Sequence, residues 1–163
     1  MGTRVAYRSI LVPAVPDQTH RHAVDLGAAA HIAEPGPNAQ YYANISLSDW
    51  QVSERPFLVI ITPEVVHASI TPGKPEVEAK VTILTPRFEA GHASLLHIPT
   101  TVTQADAVFT EWAEDGNPYE VVADIITAPL RSTVYKPTQV LVDEGAHFFV
   151  VDGIATAISK LEY

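Results

Sequence analysis

Imidazole is the first side chain to weigh for site chemistry here: the chain has seven histidines and no cysteine. The densest group is His20-Arg21-His22, with His31 nine residues further on. On a strand, a His-x-His pair presents both imidazoles on one face, as a metal site on a β-barrel would need. On a helix, positions i and i+2 point apart and do not chelate. The flanking glycines and following glutamate that would complete such a metal motif are absent, so the pair reads as part of a solvated arm. Three further histidines fall in strand-like or turn-like surroundings. His67 lies three residues after Glu64, His97 lies in Ser94-Leu-Leu-His-Ile98, and His147 follows the turn Asp143-Glu144-Gly145. A carboxylate beside His147 would raise its pKa and make a proton-transfer site. Two of these three histidines and a carboxylate meeting in one pocket would define a catalytic or ligand site.

Other chemistries lack their motifs. No Gly-x-Ser-x-Gly elbow supports a serine nucleophile, and Ser94 is near His92 and His97 only in sequence. Glu111, Glu114, Asp115 and Glu120 make an acidic patch, but the alternating oxygen ligands of a calcium loop are missing. Asp115-Gly116-Asn117 reads as a turn, and no glycine-rich phosphate loop exists. Asn44-Ile45-Ser46 matches the glycosylation acceptor pattern and reads as a chance match. Trp50, Trp112, Tyr41, Tyr42 and Tyr119 are candidates for a pocket lining or for core. Without cysteine, disulfides, thiolate nucleophiles and cysteine metal sites are excluded. No catalytic, cofactor-binding or metal residue is assigned, and no cofactor is expected.

The elements that would position these groups read mainly as strands. Tyr119–Thr127, Ser132–Lys136, Gln139–Val142, Ala146–Val151 and Ile154–Leu161 form a predicted meander. Its turns are Asp143-Glu144-Gly145 and Asp152-Gly153, since Asp-Gly supplies the positive φ of a hairpin turn. Thirteen prolines divide the rest of the chain, because proline cannot donate to a ladder. Between them lie Phe57–Ile61, Glu64–Ile70, Glu76–Leu84 and Ser94–Ile98. In Glu76–Leu84, Val77, Ala79, Val81 and Ile83 alternate with Glu78, Lys80 and Thr82, the pattern of a strand with one wet face. Tyr41–Trp50 and Arg4–Val12 also read as strands.

Two segments depart from that pattern. Thr19–Ala33 is alanine-rich and reads as a helix capped by Thr19 or as an irregular arm. Thr103 caps a predicted helix over Gln104–Glu114, with Val108, Phe109 and Trp112 at helical spacing and Gly116 just past its end. The expected fold is therefore mainly β: an antiparallel β-sandwich or barrel with one short α-helix at about 104–114. Residues 1–163 form a single β-rich domain, with 13–40 an irregular N-terminal arm or loop region.

The chain is 47% hydrophobic and 18% charged, enough apolar content for a core and too much for disorder. Net charge is −9, and residues 103–163 hold ten acids against Arg131, Lys136 and Lys160. That field repels a polyanion, so nucleic acid is not an expected partner. No run approaches the ~20 apolar residues of a membrane span. The apolar stretch after Arg4 and Arg8 is too short and too broken by proline for a signal peptide. A cytoplasmic or virion location follows as the expectation. With no catalytic constellation, the expected function is structural: a β-sandwich subunit that self-associates as a homo-oligomer or coats another protein assembly. Capsid decoration, cement and tail components of phage or virus particles fit that profile. The alternative is a small-ligand-binding β-barrel or enzyme that uses His67, His97 or His147 with a carboxylate.

Overall fold

The structure is a computed structural model that describes residues 4–7, 27–66, 76–98, 107–132 and 139–161. Its centre is a mixed sheet of β1 (Arg4–Tyr7), β2 (Ala28–Ala33), β3 (Leu58–Val66), β4 (Glu76–Pro86), β5 (Val108–Trp112) and β6 (Gln139–Val142). The strand order is β1-β6-β2-β3-β4-β5. β6 runs parallel to both β1 and β2, β3 is antiparallel to β2 and β4, and β5 is parallel to β4. The helices are α1 (Pro37–Ala43), α2 (Ala90–Ala93), α3 (Pro118–Thr127) and α4 (Phe148–Ser159).

Helical layers cover both faces of the sheet. Leu58, Ile60, Leu84, Trp112, Val140 and Val142 bury one face against Val122 and Ile126 of α3 and Val150, Val151, Ile154 and Ile158 of α4. The opposite face carries Val59, Ile61, Val81 and Ile83, covered by Ala39, Tyr42 and Ala43 of α1 with Ile45, Trp50, Phe57 and Ala93. The covering helices come from connections along the chain: α1 lies between β2 and β3, α2 between β4 and β5, α3 between β5 and β6, and α4 follows β6.

This is an α/β architecture, and it overturns the expected antiparallel sandwich or barrel. The predicted meander is the main error: among its described residues only Gln139–Val142 is a strand, while Tyr119–Thr127 and Phe148–Ser159 are helical. Helical spacing was present in both. In α3, Val122, Ala123 and Ile126 face the core, and Glu120 and Asp124 lie off that stripe. In α4, Val150, Val151, Ile154, Ala157 and Ile158 repeat at the helical period. Asp152-Gly153 is not a turn but part of α4. A Cβ at Gly153 would lie 2.3 Å from the Tyr119 ring, so the glycine lets α3 and α4 approach closely. Asp143-Glu144-Gly145 is a turn as expected, though it joins a strand to a helix.

The predicted helix 104–114 is also wrong where it is described, because Val108–Trp112 forms edge strand β5. Tyr41–Trp50 is the end of α1 and a loop, turned at Asn44 with φ 56°. The supposed irregular arm 13–40 contains β2, a fully buried interior strand, at Ala28–Ala33. Ser94–Ile98 is a turn after α2. Leu58–Ile61 and Glu76–Leu84 do lie in strands, but the predicted wet face is not open to solvent where it is described: Thr82 is buried and Lys80 half-buried. Residues 8–12, 13–26, 67–70 and 133–136 lie outside the described residues.

Candidate functional site

β2 and β6 are adjacent and parallel, yet the helices that follow them pack on opposite faces, α1 on one and α4 on the other. A divergence of this kind opens a crevice at the carboxyl ends of the strands, where open α/β sheets place their sites. Both strands end in an acid. Glu34 follows Ala33 and Asp143 follows Val142, and Asp143 N–H donates to Ile32 O at 2.8 Å to continue the pairing.

Strand alternation sends the two acids to opposite faces. Glu34, 5% exposed, lies on the α4 side, and its Oε2 accepts from the His147 backbone N–H at 2.6 Å and from His147 Nδ1 at 3.0 Å. His147 is the N-cap of α4 and makes no cap bond with its own side chain. The Glu34 carboxylate therefore supplies negative charge and an acceptor where the helix dipole favours both. Asp143, also buried, lies on the α1 side and accepts from Asn38 Nδ2 at 2.6 Å, in the first turn of α1. Each strand end thus clasps the helix that begins after the other strand.

Two more titratable groups border this clasp. His31 of β2 is buried beneath α1, packs edge-on to Tyr42 at 5.4 Å and leaves Nδ1 without a hydrogen-bond partner. Burial pushes its pKa below the ordinary histidine value, and the nearby Asp143 carboxylate pulls the other way. On the α4 side, burial first and the Glu34 charge second push the Tyr119 phenol up to about 12.

With Nδ1 protonated, Glu34 fixes the tautomer of His147. That leaves Nε2 as the basic nitrogen of a ring whose side chain is 54% exposed. A carboxylate–imidazole pair of this kind can hold a proton or serve as one ligand to a metal. It lacks companions: among the described residues, no three His, Cys, Asp or Glu side chains form a group that could hold a metal.

Of the two sequence-predicted histidines among the described residues, His97 and His147, only His147 joins a carboxylate. Its partner is Glu34, 113 positions away, rather than Asp143 or Glu144. His97 is exposed, and its carbonyl accepts from Asn44 Nδ2 at 3.2 Å, which places the Asn-Ile-Ser motif in a loop contact. His67, His20 and His22 lie outside the described residues. Ser94 Oγ donates to Gly91 O, with no histidine bonded to it. The acidic patch is dispersed: Glu111 pairs with Arg87, Glu120 pairs with Lys160, and the Phe88 backbone N–H holds Glu114 below the usual carboxylate range. Trp50 stacks on Phe57 and His92 beneath one face, while Trp112 donates to Pro56 O beneath the other, so the tryptophans line no common pocket.

Among the described residues no helix is long and apolar enough to cross a membrane. No family model matches the chain. It is 31% identical over 134 residues to an uncharacterized peptidase of Schizosaccharomyces pombe, a match covering 81% of this chain. The chain spans only 28% of that relative's length. Solved structures share its fold. A prolidase from Thermococcus sibiricus matches 87% of the chain with 30% of its own length, at TM-score 0.54 and 17% identity. A proline dipeptidase from Streptococcus pneumoniae matches 92% of the chain with 89% of its own, at 0.55 and 10%. The creatinase/prolidase N-terminal domain of an X-Pro dipeptidase from Streptococcus pyogenes matches 88% with 86%, at 0.52 and 14%. The fold is therefore that of the creatinase/prolidase N-terminal domain. These likenesses point towards peptidases and overturn the expectation of a capsid-decoration, cement or tail protein; the expected virion location has no support.

Proposed function

We propose that the chain serves as the N-terminal-type domain of a prolidase-like peptidase and supports peptide hydrolysis carried out by a separate catalytic domain. The observation that carries this reading is the 134-residue match to a peptidase of which the chain spans little more than a quarter. Its fold adds support, because an X-Pro dipeptidase N-terminal domain aligns with the chain over most of both lengths. The Glu34–His147 pair is consistent with it, since among the described residues no further His, Cys, Asp or Glu groups with it as a metal site, and one oriented imidazole is not a hydrolytic centre. The protein partner expected from the sequence becomes, in this reading, a catalytic domain.

Two assays test the proposal. The purified chain is incubated with Leu-Pro dipeptide and added manganese or zinc, and no hydrolysis is expected. The matched segment of the fission-yeast peptidase is then replaced by this chain, and the chimera is expected to keep the parent's peptide hydrolysis. Hydrolysis by the isolated chain would refute the division of labour. A folded but inactive chimera beside an active parent would refute the domain assignment.

A further inference from the structure

The sheet face beneath α3 and α4 changes character part-way along. Leu58 and Ile60 of β3, Leu84 of β4 and Trp112 of β5 belong to the apolar core. Further along the same face stand Thr62, Lys80, Thr82, Val108 and Thr110, drawn from three neighbouring strands. They line a cleft of about 390 Å³, closed on its other side by Ile125 of α3 and by Ala128 and Pro129 just beyond it. That volume is within the range of small-molecule sites, ~300–1,000 Å³.

Its polar groups are placed as a binding site would place them. Thr62 and Thr82 are only 1% and 2% exposed, at positions where a sheet covered on both faces ordinarily carries aliphatic residues. Among the described residues neither threonine hydroxyl is hydrogen-bonded, and both residues line the cleft, where a ligand can meet them. Lys80 is cross-strand neighbour to Thr62, and among the described residues no carboxylate pairs with it. One wall therefore offers a cation and hydroxyl donors, and the other offers aliphatic carbon.

We propose that this cleft binds a small carboxylate with a compact apolar body. Lys80 and the threonine hydroxyls take the carboxylate, while Val108, Ile125 and Pro129 enclose the aliphatic part. A free aliphatic amino acid and the C-terminal residue of a short peptide share this chemistry. The inference stands on the cleft and does not rest on the peptidase reading.

The test is a titration of the isotopically labelled full chain, followed by amide NMR shifts. The probes are N-acetyl-L-valine, its neutral amide and free L-valine. Saturable shifts are expected at Thr62, Lys80, Thr82 and Thr110, with the acid bound roughly tenfold more tightly than the amide, the scale of one charge-assisted hydrogen bond. Lys80→Met should abolish that preference and leave amide binding intact. Tighter binding of acetylvaline than valine would identify a peptide end, and the reverse a free amino acid. Absence of saturable shifts, equal binding of acid and amide, or an unchanged preference in Lys80→Met would overturn the proposal. Should Lys80→Met fail to fold, the acid-to-amide ratio in the unaltered chain and in Thr82→Val decides it.

Discussion

Two regions of this sheet treat their buried side-chain oxygens differently. Where β2 and β6 end, Glu34 and Asp143 are buried and each accepts from the start of a helix. On the β3–β5 side, Thr62 and Thr82 are equally buried, and among the described residues their hydroxyls bond to nothing. A satisfied buried group holds a fold together, whereas an unbonded hydroxyl that lines a cleft is free to meet a ligand. The first region therefore reads as a clasp and the second as a receptor. Stability measurements should separate them.

The largest effect belongs to the clasp. Glu34→Ala leaves the His147 backbone N–H and ring without their acceptor and removes the charge at the start of α4. Urea denaturation should show a loss of about 2–3 kcal/mol, the worth of hydrogen bonds to a buried charged group. A loss below half a kilocalorie would mean that water replaces the carboxylate and that the clasp is incidental.

Next comes the contact between α4, whose start Glu34 clasps, and its neighbour α3. Gly153→Ala favours a helix by roughly 1 kcal/mol at an open position. Here the new methyl meets the Tyr119 ring, so overpacking of about 1–3 kcal/mol should outweigh that gain and lower the melting temperature. A stabilised variant would show that α3 and α4 are not packed this closely.

A smaller effect should come from pH. Burial lowers the folded-state pKa of His31, so the unfolded chain takes up its proton first as pH falls. The contribution is complete above the unfolded value of about 6.5 and is lost as pH drops towards the folded value. His31→Gln should therefore flatten the stability profile on the acid side of neutrality. A profile that keeps its slope would assign that slope to other groups.

The contrast between regions also explains what could be read from the sequence. Glu76–Leu84 was legible as a strand because its alternation is local, and Asp143-Glu144-Gly145 was legible as a turn for the same reason. Helix α3 also carries a local signal. Asn117 caps it by accepting from Tyr119 N–H, Pro118 occupies the first turn and Glu120 follows three residues after the cap. The valines and isoleucines of Tyr119–Thr127 favour strands on composition, and that preference obscured the helical spacing. Helix α4 is different. His147 is a poor cap by type, and the acceptor that completes it comes from Glu34, far away in the chain. No local pattern contains that information. The same holds for the cleft: Lys80 and Thr82 read as the wet side of a strand and Thr110 as part of a helix, until the topology brings β3, β4 and β5 beside the end of α3.

The most direct test of the contrast is the urea midpoint of the double variant Thr62→Val, Thr82→Val. If these hydroxyls are kept for a ligand and bond to nothing in the free protein, near-isosteric removal should leave stability unchanged or raise it by up to about 1 kcal/mol. A loss of more than about 1 kcal/mol, the net worth of a typical intramolecular hydrogen bond, would show that the hydroxyls are structural and would contradict the division between clasp and receptor.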